Sequence, residues 1–350
     1  MYIPILKNRT VEMSVLTQLA KIGVFSDSSI FPLIELIQEK TRSNNKNTFL
    51  DDLAELLAAN PQMSLMIDFL KSAKLNNTTE SVRNYVTLST RQADFCITEI
   101  QKLNFFSERI IPVISYLSDN VSLTRITYEV AEYRKTFPKV AFRIKAQDFE
   151  HIFSHIENLV TQNDIVILDI ESASHTNPVF QKIYKRIADS KKQKHFLSIV
   201  VNANRPENLT NKSMADGEPI AQIDNSLKTS YHLESMKKFD AFGDYACIVA
   251  SLPSTGGTIS PAGIYYSNEN NFFVAYKGRT AQLSEFQDYI APSIVASEYW
   301  SEYSDHHHEL CPGCQEILSI LGKIKNGKNQ AQWKMITMLH YIYTMYETRA

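Results

Sequence analysis

The chain alternates between short apolar runs and longer amphipathic stretches, and this alternation repeats through roughly its first 250 residues. The apolar runs are rich in Val and Ile and are nearly continuous, which is typical of strands buried on both faces of a parallel sheet. Eight strands are predicted on this basis, at 2–7, 30–37, 63–70, 110–117, 140–146, 164–171, 195–203 and 245–251.

Helical patterns fill the intervals between these runs, at 10–22, 49–59, 80–103, 123–136, 149–161, 178–190 and 226–239. Strict alternation of strand and helix implies parallel crossovers, and eight such units predict an α/β fold of the closed (β/α)8, TIM-like type. An open, doubly wound sheet is the alternative. It is disfavoured because the first strand is followed by Lys-Asn-Arg-Thr at 7–10, without the glycines of a nucleotide-binding turn.

The last third of the chain has a different pattern. Residues 263–266 and 272–276 predict a β-hairpin, and helices are predicted at 283–299, 316–321 and 332–346. We therefore expect a barrel over 1–252 and a C-terminal cap over 253–350, which carries the hairpin, a Cys/His segment and the final helix and covers one end of the barrel.

Composition limits the class of protein. The 350 residues are 44% hydrophobic and 21% charged, as in ordinary globular domains, and the formal net charge of −2 argues against a protein that neutralises many phosphates. The start of the chain has no targeting pattern, and no apolar run is long enough to span a membrane.

Four cysteines occur, of which Cys96 and Cys247 are isolated in apolar surroundings and Cys311 and Cys314 are close together. This spacing is not a disulfide framework, so a cytoplasmic location is expected.

The ends of the predicted strands are unusually polar. In a barrel, the carboxyl ends of the strands and the loops after them surround the functional site. Period two places Arg143 on the same face as Lys145, and Asp169 on the same face as Glu171. A charge inside a barrel is costly unless it is paired, so a contact between Arg143 and Asp169 is expected.

Two interpretations of these polar ends stay open. In the functional one, one set of side chains binds Mg²⁺ or Mn²⁺ or acts as acid and base, and a second set holds an anionic ligand. The predicted catalytic set is Glu35, Asp68, Asp169 and Glu171; the predicted ligand-binding set is Lys7, Arg143, Lys145, Asn202 and Arg205. In the structural interpretation, the same charges pair with one another and plug the mouth of the barrel.

Other motifs carry less information. The chain has no Gly-x-Ser-x-Gly, His-Glu-x-x-His or P-loop motif. Ser-Thr-Gly-Gly at 254–257 could cradle a phosphate after the eighth strand, although an ordinary glycine-rich turn is the simpler interpretation. Asp244 and Tyr245 stand at the predicted start of the eighth strand, where a structural role is expected.

The segment from Asp305 to Cys314 is the strongest local signal. Cys311 and Cys314 form a C-x-x-C pair with a Pro-Gly turn, which is half of a structural zinc site. We predict that His308, among the three consecutive histidines, and His340 on the final helix complete the site. A catalytic zinc with three protein ligands, a redox C-x-x-C pair and a metal-free surface segment are the alternatives.

Short motifs throughout the chain resemble the phage-type beta protein family and its bacterial relatives. They are Met-Tyr-Ile-Pro-Ile-Leu-Lys at 1–7, Phe-Pro-Leu-Ile-Glu at 31–35, Phe-Gly-Asp-Tyr at 242–245, and the Cys-Pro-Gly-Cys segment with Trp333 and His340. The resemblance implies a barrel-like fold and a role in the conflict between phages and their hosts. It marks Lys7, Glu35 and Asp244 as family-pattern positions without giving them roles.

Two functions are expected from these observations. The first is a phage-defence-associated barrel that binds an anionic ligand, such as a nucleotide or a nucleic-acid end, at its mouth and hydrolyses phosphodiesters with a divalent metal. The alternative is a non-enzymatic sensor or adaptor subunit of an anti-phage complex, in which salt bridges fill the mouth. Its protein partner would then bind apolar residues exposed on the cap, for instance Phe272, Phe273 or Trp300.

Overall fold

The computed structural model describes residues 1–39, 47–252 and 260–348. Within these residues, eight parallel strands close into a barrel in the order of the chain, which confirms the predicted (β/α)8 fold. The barrel strands are β1 (Tyr2–Lys7), β2 (Leu33–Leu36), β3 (Leu65–Phe69), β4 (Ile110–Ile114), β5 (Ala141–Lys145), β6 (Ile165–Asp169), β7 (Leu197–Val201) and β8 (Ala241–Asp244).

Helices surround the barrel. They are α1 (Thr10–Lys21), α2 (Phe49–Ala59), α3 (Glu80–Arg91), α4 (Ala93–Gln101), α5 (Leu123–Tyr133), α6 (Phe149–Leu159), α7 (Phe180–Lys194) and the short α8 (Leu227–Ser230). The predicted single helix at 80–103 is divided by the extended Gln92, and the predicted helix at 226–239 is reduced to α8 and one 3₁₀ turn. None of the helices in the described ranges is both long and apolar enough to cross a membrane.

The position of the eighth strand was predicted wrongly. The strand is β8, and the predicted run 245–251 begins with a turn in which Ala246 and Cys247 adopt left-handed φ angles of 48° and 65°. Gly243 makes β8 possible, because a Cβ at this position would lie 2.5 Å from the carbonyl oxygen of Ile3 on β1. Tyr245, Ala246 and Cys247 are therefore buried in a loop after β8, and Asp244 lies at the end of the strand rather than at its start.

The barrel interior is built in layers. Ile3, Leu33, Met66 and Ile165 belong to a buried apolar cluster that fills the lower barrel. One pleat further along the strands, the inward positions become polar. The last inward layer is therefore charged and lies beneath the carboxyl ends of the strands, where a functional site is expected.

The C-terminal extension begins with a small antiparallel sheet. The predicted hairpin is confirmed as β9 (Ala262–Ser267) and β10 (Phe272–Lys277), and β10 also pairs with the two-residue strand Glu218–Pro219 from the loop after β7. One π-helical turn (Phe286–Ile290) and five helices follow: α9 (Ala291–Val295), α10 (Glu298–Ser301), α11 (Asp305–Leu310), α12 (Pro312–Leu321) and α13 (Gln330–Glu347).

The last helix of the extension packs against the side of the barrel. Helix α13 packs along α1, where Ser14 and Gln18 contact the sulfur of Met335. Further along α13, Tyr341 contacts Tyr2 of β1 and Asp244 of β8. Helix α13 thus occupies the wall between the last and first strands, the place of the eighth helix of a (β/α)8 barrel.

Candidate functional site

Arg143 is the centre of the charged layer inside the barrel. It points inward from β5, and its side chain is only 7% exposed. Its Nε and Nη2 donate hydrogen bonds to Asp169 Oδ2 at 2.9 and 2.7 Å, and its Nη1 donates to Glu35 Oε1 at 2.7 Å and Asp68 Oδ2 at 3.0 Å. The expected contact between Arg143 and Asp169 is therefore formed, and two more carboxylates join it.

A tyrosine completes this arrangement. The Tyr245 hydroxyl accepts a hydrogen bond of 2.7 Å from Arg143 Nη2 and donates one of 2.9 Å to Glu35 Oε1. We refer to Arg143, Glu35, Asp68, Asp169 and Tyr245 as the arginine network. Every member of the network is at most 7% exposed.

Two neighbouring side chains extend the arginine network. Lys7 lies 3.4 Å from Glu35 Oε2 and stands over the Tyr245 ring, while Ser115 donates a hydrogen bond of 2.6 Å to Asp68. Strand register brings Lys7, Glu35 and Asp68 together, because they are paired side by side on β1, β2 and β3. Inward-pointing side chains at one level of a barrel must meet near its axis.

Burial and charge act in opposite directions on the carboxyl groups. Burial opposes ionisation of Glu35, but Lys7 and Arg143 outweigh it, and the pKa of this carboxyl is lowered. At Asp68, burial outweighs the attraction of Arg143, and the pKa is raised. Burial also lowers the pKa of Lys7, although Glu35 opposes that shift. The arginine network thus has the features of a buried ion-pair cluster, in which each charge depends on its partners.

The other sequence-predicted residues lie outside the arginine network. Glu171 follows β6 with a left-handed φ of 51° and pairs with Lys145 at 3.1 Å, where the two side chains are 46% and 35% exposed. Asn202 is buried after β7, and its backbone N–H donates to the carbonyl of Gly243. The guanidinium of Arg205 donates hydrogen bonds to the backbone carbonyls of Cys247 and Leu209 and takes no part in the arginine network. The Ser-Thr-Gly-Gly segment at 254–257 lies outside the described residues.

A cavity of about 420 Å³ opens at the opposite mouth of the barrel, below the starts of the strands. Its walls are largely apolar and include Phe31, Ile111 and Ile199, and its charged lining residues include Lys139 and Asp240. None of the sequence-predicted site residues lines this cavity.

The second candidate site lies in the C-terminal extension. His307, Cys311, Cys314 and His340 are all buried, and one potential ligand atom of each lies within 4.8 Å of the others. His307 is on α11, Cys311 lies between α11 and α12, Cys314 is on α12 and His340 is on α13. The cluster contains His307 in place of the predicted His308, whose ring stacks on Trp300 with centroids 4.1 Å apart.

The separations between these atoms fit a metal ion. Cys311 Sγ and Cys314 Sγ each lie 3.6 Å from His340 Nδ1, and His307 Nε2 lies 3.5 Å from the same atom. An ion bound tetrahedrally by thiolates at about 2.3 Å and imidazoles at about 2.0–2.1 Å has ligand–ligand separations of about 3.3–3.8 Å. The three separations from His340 Nδ1 lie in this range, and all four ligand atoms lie within 4.8 Å of one another, so the group could hold a metal ion.

Hydrogen bonds outside the cluster orient both imidazoles. His340 Nε2 lies 3.0 Å from the carbonyl oxygen of Tyr266, and His307 Nδ1 contacts the carboxylate of Glu347. If each of these nitrogens carries the proton, the other nitrogen of each ring presents a lone pair to the cluster, as in carboxylate–histidine–metal arrangements. At Cys311 burial opposes ionisation, but hydrogen bonds from Cys314, His307 and His340 hold the pKa of this thiol well below its usual range.

Close packing explains the Pro-Gly turn between the cysteines. Pro312 begins α12, and Cys311 immediately precedes it. A Cβ on Gly313 would lie 2.7 Å from the backbone nitrogen of His340, so only glycine lets α12 approach α13 this closely.

The Beta protein family model matches residues 2–347, from β1 through this Cys/His cluster.

The chain belongs to the Beta protein family. The match extends over both the barrel and the C-terminal extension. No curated protein matches the chain.

The family-pattern residues of this Beta protein family member occupy structural positions. Lys7 and Glu35 form a buried ion pair at the arginine network. Asp244 is buried between two tyrosines and accepts hydrogen bonds from the Tyr2 hydroxyl at 2.7 Å and the Tyr341 hydroxyl at 2.8 Å. Burial raises the pKa of Asp244. This carboxyl therefore joins the first strand, the last strand and the last helix.

Sequence reasoning missed Tyr245 and His307 as members of these two clusters. Tyr245 was missed because the eighth strand was predicted to begin at this residue, whereas the strand ends just before it, at Asp244. Spacing alone does not separate His307 from His308, because the positions four and three residues before Cys311 lie on the same face of a helix. The three residues that were named as examples of an apolar surface on the cap do not form one, since Phe273 and Trp300 are buried and Phe272 is half-buried.

Proposed function

We propose that this Beta protein family member acts by binding and not by catalysis, as a sensor or adaptor subunit in defence against phages. The observation that carries this proposal is the set of hydrogen bonds from Arg143 to Glu35, Asp68 and Asp169. The role in phage defence rests on the family alone.

The chemistry of metal-assisted hydrolysis explains why the arginine network argues against it. Mg²⁺ and Mn²⁺ need several carboxylate oxygens that are open to the ion and to substrate. Here a guanidinium occupies the position between three carboxylates, and Asp68 and Glu35 are fully buried. Moving Arg143 out would leave these charges unpaired in the barrel interior, which is costly.

We further propose that the Cys/His cluster holds a structural zinc ion. Two thiolates and two imidazoles fill all four positions of a tetrahedral zinc, so no position remains for a substrate or a reactive water. The ion would connect α11 and α12 to α13, and α13 in turn forms part of the barrel wall. A small extension with few long helices gains most from such a cross-link.

A turnover assay with a matched variant tests the proposed function. The purified protein is incubated with nucleotides and short oligonucleotides in Mg²⁺ or Mn²⁺, beside an Asp169→Asn variant. We expect no hydrolysis by either protein. Turnover by the native protein that is absent from a folded Asp169→Asn variant would overturn the proposal.

A second candidate function is the metal-dependent hydrolysis of an anionic phosphodiester ligand. One observation favours it: Glu171 has a left-handed φ of 51° at the carboxyl end of β6, and its ion pair with Lys145 is open to solvent. Strained residues at such positions are frequent in active sites. In this candidate, Glu171 and Asp169 bind the metal and Lys145 binds the ligand. It requires that hydrolysis is detected and that Glu171→Gln abolishes it.

A further inference from the structure

Two cationic residues line one small cavity beside the mouth of the barrel, and a third, Arg9, follows the first strand and repels one of them. Arg9 follows β1, Arg205 lies in the loop after β7, and Lys334 is in the second turn of α13. Arg205 and Lys334 line the same small cavity, of about 20 Å³. Burial lowers the pKa of Lys334, and repulsion from Arg9 and Arg205 lowers it further.

Arg205 is held in place without being neutralised. Its Nη1 donates to the carbonyl oxygen of Cys247 at 3.1 Å and its Nη2 donates to that of Leu209 at 3.4 Å, while its Nε is buried without a hydrogen-bond partner in the described residues. Both partners are neutral carbonyls, so the guanidinium keeps its charge. Arg143 is the contrast within the same barrel, because it binds three carboxylates.

The nearby negative charge is too small to balance the three cations. Glu12 pairs with Arg9 at 3.9 Å and also attracts Lys334. Among the described residues, Lys334 forms no ion pair of its own, and its side chain is partly exposed although neighbouring atoms desolvate its amine. Three positive charges around one buried carboxylate leave an excess that costs stability unless an anion binds there.

We propose that Arg9, Arg205 and Lys334 form a binding site for a phosphoryl group. A guanidinium whose orientation is fixed in advance suits the tetrahedral oxygens of phosphate, and a flexible lysine adds a second charge. The position also fits, because phosphate sites of (β/α)8 barrels commonly lie at the loops after the seventh and eighth strands. The cavity is large enough only for a water molecule, so the phosphoryl group lies at its opening, where Lys334 is exposed.

This inference deepens the proposed function, because it gives the binding protein an anionic ligand. Two sources share the chemistry: inorganic phosphate, and the terminal phosphate of a nucleotide. The test therefore compares inorganic phosphate, AMP and adenosine at constant ionic strength. Thermal unfolding of the full chain reports the binding, since a ligand that binds the native state raises the melting temperature.

The variants are Arg205→Gln and Lys334→Gln, with Lys328→Gln as the control. Lys328 is an exposed lysine just before α13, so its substitution changes the net charge equally. We expect phosphate and AMP, but not adenosine, to stabilise the native protein and the control, and each site variant to weaken this binding at least about tenfold. Without phosphate, Lys334→Gln should be as stable as the native protein or more stable, because it removes repulsion.

Each outcome decides the proposal. Tighter binding of AMP than of phosphate, lost in both site variants, supports a nucleotide, and equal binding supports free phosphate. Absence of stabilisation by either, or equal stabilisation of the native protein and both site variants, overturns the site. That failure is distinct from a failure of the proposed function, which the turnover assay decides and which does not depend on phosphate binding.

Discussion

The hydroxyl of Tyr341 donates a hydrogen bond of 2.8 Å to Asp244, and this contact joins the last helix to the last strand of the barrel. The two residues are 97 positions apart in the chain. Because α13 occupies the place of the eighth helix, the barrel wall depends on a segment that follows the small sheet and itself carries His340 of the Cys/His cluster. The C-terminal extension is thus part of the structural support of the barrel.

Loss of the Tyr341 hydroxyl should therefore destabilise the whole protein. Tyr341→Phe leaves the buried Asp244 with one tyrosine partner, and an incompletely satisfied buried polar group costs about 1–3 kcal/mol. Tyr343→Phe is the control, since Tyr343 lies on the same helix and its hydroxyl has no hydrogen bond in the described residues. Urea unfolding of both variants measures the difference. An equal effect of the two substitutions would contradict the role of Asp244.

Arg143 should be essential for stability. Arg143→Met leaves Glu35, Asp68 and Asp169 without their shared cation, and removal of one partner from a buried ion-pair cluster costs about 3–5 kcal/mol. Arg186→Met is the control, because the ion pair of Arg186 with Glu157 is largely exposed and should contribute less than about 1 kcal/mol. Chemical denaturation at neutral pH compares the two.

The effect of Arg143→Met should also depend on pH. In the native protein the pKa of Glu35 is lowered, so the charged form contributes stability that is lost as the pH falls through its folded value. Without Arg143, burial dominates and raises the pKa values of the buried carboxyls. Acidification from about pH 7 to about pH 5 should then recover part of the stability lost by the variant. A deficit that stays constant or grows over this range would show that the carboxylates are not the cause.

The sequence predicted the arginine network only in part, for a physical reason. The contact between Arg143 and Asp169 follows from period two on adjacent strands, so local pattern was sufficient. Glu35 is 108 positions from Arg143, and their contact exists only because the sheet closes. Tyr245 belongs to the arginine network because a turn follows β8, but the apolar residues of this turn led to the prediction of a strand there. The alternation of elements thus predicts the barrel, whereas the contacts across its axis depend on closure and register.

Removal of the proposed zinc should loosen the C-terminal extension. We expect about one zinc ion per chain by elemental analysis, and a melting temperature lowered by several degrees after chelation. Zinc content should be lost in Cys314→Ser and His340→Ala, and Glu347→Gln should weaken zinc binding roughly 10–100-fold, as observed for other outer partners of ligating histidines.

His308→Ala distinguishes the two neighbouring histidines. The ring of His308 stacks on Trp300, so this substitution should retain the full zinc content, whereas His307→Ala should lose it. Zinc retained by the His307 variant and lost by the His308 variant would reverse the assignment. A native protein purified without any metal, and insensitive to added zinc, would remove the metal site altogether.

Lys228 should titrate below the usual range of lysine. Burial lowers its pKa from 10.5 to about 8, and its Nζ donates hydrogen bonds to the Tyr266 hydroxyl at 2.9 Å and to Asn268 Oδ1 at 2.7 Å. Since the folded pKa is the lower one, the unfolded chain binds more protons between these two values. The free energy of unfolding should therefore rise with pH across that interval, and Lys228→Met should remove this rise.

Acylation followed by mass spectrometry offers an independent measurement, with the exposed Lys185 as the reference. Once accessibility is corrected for, Lys228 should reach its full reactivity at a lower pH than Lys185, and identical pH profiles would show that burial does not control this amine.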